Sequence, residues 1–465
     1  MADNVDNLSV RGRGYSDPSC KPPMLDVVCD LWEPQSNPGG YLSLGVAENT
    51  LMHAELVDYM TKSFNINSHS LTYGDGFSGS HHLRGLVAKF MNRYFNPVRP
   101  VLKEYVAITS GVGPAIEACT FALCDPGDGI LLGRPYYGGF PEDVCSRAGA
   151  QLVEVSFDGV DPFGIEALDA YEKALNNARD RSILVRALIL CNPHNPLGRC
   201  YTTEVLEAYL RFCQKHNIHL ISDEIYALSV WKNEDFPNAP GFTSILSLET
   251  DGIIDPSLVH VLWGMSKDFG SNGIRLGCII SQANKPFLQA LETNSYQSCP
   301  SALADRVASA ILSDSTFIEQ FIETNQSRLA ENYHIAIRFL ESHHIPYVKE
   351  SNAGFFIWAD LFAPLRVNRD SGAPESELWV LERDLNKALL RNKVFLASGA
   401  AFGSDVPGWF RIVFAHQKIY LDEGLKRIVQ TVEAYRRSLG AKDSEKKAGG
   451  EGSGSDRKQL RLSKL

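Results

Sequence analysis

Between residues 101 and 300, short apolar runs alternate with amphipathic helical segments, and this alternation leaves few folds open to the chain. The runs fall at 105–108, 129–132, 151–155, 187–191, 218–221 and 259–263. Strands spaced by helices in this way predict a mainly parallel sheet covered on both faces. Between the fourth and fifth runs, Val205, Leu206, Tyr209, Leu210 and Cys213 recur on one helical face, opened by Thr202 and Thr203 as capping residues. Ligands of such sheets sit beyond the carboxyl ends of the strands, so the polar residues just after each run form the candidate site.

The last run leads into Val261-Leu-Trp-Gly-Met-Ser-Lys-Asp-Phe-Gly-Ser-Asn-Gly-Ile-Arg-Leu-Gly277, which delivers Ser266 and Lys267 into a glycine-rich turn. Desolvation and nearby cations there lower an amine's pKa and make it nucleophilic. Arg275 returns a second cation toward the same place. After the first run, Thr109-Ser-Gly-Val-Gly-Pro114 precedes a helix from Ala115 to Leu123, a setting for an anion such as phosphate. Arg134-Pro-Tyr-Tyr-Gly-Gly139 follows the second run and offers Tyr137 as a platform for a flat ring. Cys191-Asn-Pro-His-Asn-Pro-Leu-Gly198 follows the fourth, where Asn195 can direct a donor at a ring oxygen. Ser222-Asp-Glu-Ile-Tyr226 follows the fifth and leaves Asp223 at the end of a buried strand, where it needs a cation or donors, such as a pyridinium N–H. A phosphate cup, a stacking ring, a pyridinium carboxylate, phenol donors and an amine together fit pyridoxal 5′-phosphate (PLP).

The flanks complete a domain reading. Residues 1–40 form an N-terminal arm without sustained periodicity; 101–300 form the large cofactor-binding domain; 41–100 and 301–438 form a small α+β domain with interface segments; 439–465 form a charged, Gly/Ser-rich flexible tail. Within the small domain, a strand at 41–46 leads into a turn displaying Glu48, then a helix carrying Leu56, Val57 and Met60. A glycine-dense loop at 71–80 precedes a helix carrying Leu83, Leu86, Val87 and Phe90, and 354–358 and 409–414 are strand-like.

The 45 basic against 55 acidic residues, a net charge of −10, argue against nucleic acid as a partner. Ten scattered cysteines without a Cys-x-x-Cys read as reduced, with no structural metal. No apolar run is long enough for a membrane span, and the N-terminus has no signal-peptide pattern, so an intracellular protein is expected. The terminal Ser463, Lys464 and Leu465 form a peroxisomal address, which makes the peroxisomal import receptor an expected partner and the peroxisome the expected location, with the cytosol as the default if the address is not read.

The motifs Leu-Gly-Val-Ala-Glu-Asn, Asp-Pro-Gly-Asp, Pro-Tyr-Tyr-x-Gly-Phe, Asn-Pro-His-Asn-Pro-Leu-Gly, Ser-Asp-Glu-Ile-Tyr, Ser-Lys-Asp-Phe-Gly and Gly-Trp-Phe-Arg resemble the class I/II aminotransferase superfamily of PLP enzymes over roughly residues 40–435. Within it, they look most like the 1-aminocyclopropane-1-carboxylate (ACC) synthase-like branch. The resemblance implies an α/β, aspartate aminotransferase-like fold and a homodimer whose sites are completed across the two-fold axis. It implies Lys267 as Schiff-base lysine and proton shuttle, Asp223 as pyridinium partner, Asn195 and Tyr226 as contacts to the ring O3′, and Tyr137 as the stacking ring. Ser266, Arg275 and the amides near Val112 and Gly113 would bind phosphate, Arg411 the substrate α-carboxylate, and Glu48 a substrate cation. The sequence departs from the pattern in three places. Phe77 stands where the family carries a phosphate-binding tyrosine, with Tyr73 as a substitute; Gly113 and Gly264 stand where it carries small hydroxyls. The implied reaction is Cα deprotonation of an α-amino acid, followed by elimination, replacement or ring closure on a sulfonium or thioether substrate such as S-adenosylmethionine. Transamination and cysteine-conjugate C–S cleavage are the alternatives, and a non-catalytic scaffold is disfavoured by the presence of Lys267, Asp223 and Arg411.

Overall fold

The computed structural model describes residues 7–366 and 375–451. The chain enters its folded units through β1 (Leu42–Ser43) and then supplies β2 (Val106–Thr109), β3 (Gly129–Gly133), β4 (Gln151–Val155), β5 (Val185–Cys191), β6 (His219–Asp223), β7 (Val259–Gly264) and β8 (Gly277–Ile280). Strands β2 to β8 make a seven-stranded sheet in the order β2-β8-β7-β6-β5-β3-β4. All point the same way except β8, which lies antiparallel between β2 and β7. The six runs expected from the sequence are all present, whereas β8 was not anticipated: its short apolar stretch directly follows the Lys267 turn and reads as part of that loop.

Strands β2, β3, β7 and β8 are buried throughout because helices cover both faces of the sheet. At the edge, β4 exposes Gln151 and Glu154, polar groups that discourage pairing with a further strand. The helix Thr203–His216 starts where Thr202 caps the Val205 N–H and stops at left-handed Asn217. Register decides where the site lies. Gly277 pairs with both Thr109 and Gly264, and Cys191 pairs with Asp223, so the chain leaves β2, β5, β6 and β7, and enters β8, along one edge of the sheet.

The smaller sheet holds β9 (Phe356–Asp360), β10 (Val394–Phe395), β11 (Ala397–Ser398) and β12 (Trp409–Val413) as two pieces: an antiparallel β11-β12-β9 sheet, and β10 paired in parallel with β1. Residues 41–100 touch both units. Through β1 they join the small unit, while the helix His81–Tyr94 buries Leu83, Leu86, Val87 and Phe90 and sets Phe90 against Trp263 of β7, ring centroids 4.5 Å apart. In the helix His53–Ser63, Leu56 is buried but Val57 is 60% exposed, because one residue of helix turns the side chain by 100° and carries it off the inward face.

The arm contains the short helix Val10–Ser16, which buries none of its side chains, and Tyr15 reaches Glu142 by an O–H···O bond of 2.7 Å. Farther along, Lys393 binds Asp30 at 2.8 Å and sits over the Tyr41 ring. The last helix, Lys418–Glu451, continues past residue 439, where the sequence suggested a tail; Ala, Lys and Glu are frequent over 441–448, and their helix propensity prolongs an already nucleated helix. Ser463, Lys464 and Leu465 lie outside the described residues. All ten cysteines are free, six of them buried, while Cys20 and Cys29 are exposed. Among the described residues no helix is long and apolar enough to cross a membrane.

Because Phe90 couples the helix His81–Tyr94 to the strand that carries the lysine, Phe90→Ala should cost about 3–5 kcal/mol of stability, read as a lower urea midpoint. An unchanged midpoint would show that this packing contributes little.

Candidate active site

Strand β7 ends at Gly264, and a single helical turn, Met265–Asp268, presents Lys267. The backbone is packed tightly here. A Cβ on Gly264 would lie 2.7 Å from the Leu276 carbonyl oxygen, and one on Gly277 would lie 2.6 Å from the Gly111 carbonyl carbon. A serine at 264 would not fit without displacing β8, which gives a steric reason for the glycine. Asp268 fixes the lysine turn from behind: it accepts from Trp263 Nε1 (2.9 Å), Ser229 Oγ (2.8 Å) and the Leu228 amide (3.1 Å). Beside it, buried Glu224 accepts from Ser222 Oγ, Ser244 Oγ and the Ile245 amide, which ties down the loop after β6.

A cavity of about 270 Å³ opens at this edge. Val112, Gly113, Tyr137, Asn195, Asp223, Tyr226, Ser266, Lys267 and Arg275, which come from six separate stretches of chain, all line it. Asn272 and Asp143 line it too and were missed in the sequence. Asn272 could have been suspected from its place inside the Lys267 turn, but Asp143 carries no such signal.

Lys267 Nζ donates to the Ala47 carbonyl at 2.6 Å, a bond shared with Asn272 Nδ2 at 3.1 Å. Burial brings the lysine down to about 7, and Arg411 and Arg275 act in the same direction, while Glu48 opposes them. Asp223 is pushed up to about 7, again mainly by burial, with one hydrogen bond from the Ile225 amide at 3.3 Å working against it. Burial raises the Tyr226 phenol, and desolvation moves that of Tyr137, a residue still 38% exposed, in the same direction, so both remain protonated donors near neutrality. Arg275 adopts a left-handed conformation with φ 59°, and its Nη1 donates to the Asn272 carbonyl. Gly111, at φ 117°, admits it: a Cβ there would meet Arg275 Nη2 at 2.5 Å. The guanidinium therefore overhangs the turn that opens the helix Val112–Leu123, so a cation and free helical N–H groups converge on one spot.

Arg411, on β12, is buried and held on two sides. Its Nη1 donates to Asn195 Oδ1 (2.9 Å) and its Nη2 to the Gly45 carbonyl (2.6 Å), while the rings of Phe402 and Phe356 flank it. The Nε has no partner among the described residues. Asn195 lines the cavity, and with its oxygen taken by Arg411 its amide N–H groups are the donors left for a ligand. Glu48 is half-buried, follows the Ala47 carbonyl that holds the lysine, and its carboxylate has no hydrogen-bond partner among the described residues. Tyr73 and Phe77 are not part of this cavity within one chain. They line a separate one of about 520 Å³, with Tyr73 79% exposed and the Phe77 ring edge-on to both Tyr73 and Tyr296.

The chain matches the aminotransferase class I and II family over residues 41–428. A "probable aminotransferase" of Claviceps purpurea is 37% identical over 402 residues, 85% of this chain and 89% of that one. The human 1-aminocyclopropane-1-carboxylate synthase-like protein 1 is 33% identical over 413 residues, 87% of this chain and 78% of its own. Among solved structures, a double mutant of Thermus thermophilus aspartate aminotransferase superposes with a TM-score of 0.67 at 21% identity, covering 91% of this chain and 99% of that one. The fold and the lysine-bearing strand edge are those of a PLP-dependent α/β enzyme. The chain belongs to the aminotransferase class I and II family.

The residues present fit PLP. Asp223 is a buried carboxylate that has no cationic partner at hydrogen-bond distance among the described residues, Arg275 and the helix N–H groups make a phosphate seat, and the lysine titrates near neutrality. Below pH 7 the Lys267 amine is protonated and cannot attack a carbonyl. Covalent capture of PLP by the apo protein should therefore accelerate about tenfold per pH unit up to about 7 and then level off. Stopped-flow absorbance checks this; a rate still climbing toward 10.5, the ordinary lysine value, would contradict the buried, near-neutral amine.

Proposed function

We propose that the enzyme removes the Cα proton of an α-amino acid whose side chain carries a sulfonium or thioether, S-adenosylmethionine being the type, and then breaks a side-chain bond by elimination, replacement or ring closure. The observation that carries this reading is the distribution of charge. In this reading Arg275 would take the cofactor phosphate and Arg411 the α-carboxylate. With Asp223 assigned to the ring nitrogen and Asp143 lying beside Gly113, the further charged group acting on the lysine among the described residues is Glu48, which suits a neutral or cationic substrate side chain and opposes an acidic one.

When bound, PLP supplies the electron sink for negative charge at Cα. The protein's own groups do the rest. Arg411, whose Nε has no partner among the described residues, would bind the carboxylate, with its guanidinium already fixed by Asn195 and the Gly45 carbonyl. Lys267 Nζ takes and returns the Cα proton, a task that suits an amine titrating near neutrality. Asp223 would hold the ring nitrogen, Asn195 and Tyr226 the ring oxygen, and Tyr137 the ring face.

Transamination of neutral amino acids is a second reading, supported by the relatives named as aminotransferases and by Phe77, since the tyrosine hydroxyl the family carries there belongs to the ACC synthase substrate site too. The proposed assembly is a homodimer. It is supported by the exposure of Leu71 (80%), Tyr73 (79%) and Tyr296 (65%) around the larger cavity, an apolar surface that a second copy would cover and that would bring Tyr73 and Phe77 to a neighbouring site.

Glu48→Gln separates the two reactions. It should depress turnover of S-adenosylmethionine, read as methylthioadenosine release, at least tenfold more than keto-acid formation from neutral amino acids. Equal loss on both, or no methylthioadenosine from the wild type, would favour transamination. Arg411→Ala should weaken every α-carboxylate substrate by about 2–5 kcal/mol, read in KM, since it removes a buried charge-assisted contact.

A further inference from the structure

The cofactor cavity contains a carboxylate that the reading above does not use. Asp143 lies in the first turn of the short helix Phe140–Cys145 and lines the cavity at the end where Val112, Gly113 and Arg275 gather. Both its oxygens face Gly113: a Cβ built there would lie 3.1 Å from Oδ1 and 3.4 Å from Oδ2. The space that a hydroxyl would fill next to the phosphate seat thus holds a second acid. Among the described residues no donor hydrogen-bonds this carboxylate, unlike its neighbours. On its own helix Glu142 takes the Tyr15 hydroxyl; on the packed helix Val112–Leu123, Glu117 pairs with Arg147 at 3.4 Å; on β4, Glu154 takes Arg134 and the Tyr136 hydroxyl. On the cavity side its electrostatic neighbours are Tyr137 and Asp223, and Lys267 and Arg275 line the same cavity.

We propose that Asp143 is a protonation-controlled element of the phosphate seat, holding a phosphorylated ligand well as the neutral acid and opposing it as the carboxylate. The inference rests on the PLP reading of the site. Binding of the phosphate dianion takes up one proton at Asp143, and no bond other than that O–H is made or broken. Burial, with Glu142 and Glu117 adding to it, pushes Asp143 up to about 7, so the exchange falls in the physiological range. The sign follows directly: below that pH the acid is neutral and the phosphate is tolerated, and above it two like charges share a partly desolvated space and affinity falls.

The test compares the affinities of the apo protein for pyridoxal 5′-phosphate and for pyridoxal between pH 6.5 and 8.5. Both ligands meet Lys267 and Asp223, so the ratio isolates the phosphate end, and the phosphate's own ionisation near pH 6 is common to all proteins compared. In the wild type the ratio should fall on the order of tenfold across this range. In Asp143→Asn it should stay flat and exceed the wild-type ratio at pH 8.5, and Asp143→Ser should behave likewise. A ratio in the variants that tracks the wild type would overturn the inference. Failure of PLP to label Lys267 at all would instead overturn the cofactor reading and this inference with it, whereas normal labelling with an unchanged ratio would remove only the role of Asp143.

Discussion

At one edge of the large sheet, the Gly111 turn, Gly264 of β7 and Gly277 of β8 approach so closely that a Cβ on the second or third would collide with a neighbouring backbone. This contact sets the position of the cationic groups around the cavity. It lets β8 run antiparallel between β2 and β7, places Arg275 directly over the turn after β2, and starts the Lys267 turn within reach of the Ala47 carbonyl. A side chain at Gly264 or Gly277 would widen the gap, and one at Gly111 would push Arg275 aside, so the phosphate seat and the lysine would no longer share one cavity.

Around this contact the enzyme buries more charge than it pairs. Among the described residues Asp223 has one backbone donor, Arg411 Nε and Asn272 Oδ1 have no partner, and Lys267 is held by a carbonyl rather than a carboxylate. Unpaired polar groups in a core are costly, and they persist where a ligand completes them. The well-satisfied carboxylates Glu224 and Asp268 stand just behind, each accepting three hydrogen bonds, and serve to hold loops. The contrast separates site from scaffold: acids of similar burial differ in whether the protein itself provides their donors.

Much of this was legible in the sequence because each strand ends in a polar residue that a parallel sheet must place at the same edge. Lys267, Asp223, Asn195 and Tyr226 could be assigned together for that reason, Arg275 through its place after the Lys267 turn, and Arg411 through its motif. Strand β8 was hidden by its length and by its place after a glycine-rich turn. Asp143 was hidden because its role depends on facing Gly113 across a helix–helix contact, a relation that neither spacing nor local composition records. Tyr73 and Phe77 were readable as a pair but not as members of this cavity, since in one chain they surround a separate one. The continuation of the last helix beyond residue 439 is a case where local helix propensity outweighs the lack of buried surface that suggested a tail.

The central claim is that the strand edge built on these glycines makes Lys267 the covalent anchor of PLP. Borohydride reduction of the reconstituted full chain, followed by peptide mapping, tests it most directly. The account predicts a pyridoxyl group on the peptide containing Lys267, with labelling abolished in Lys267→Ala. A pyridoxyl group on a different lysine, or stoichiometric PLP bound with no label on any lysine, would contradict it.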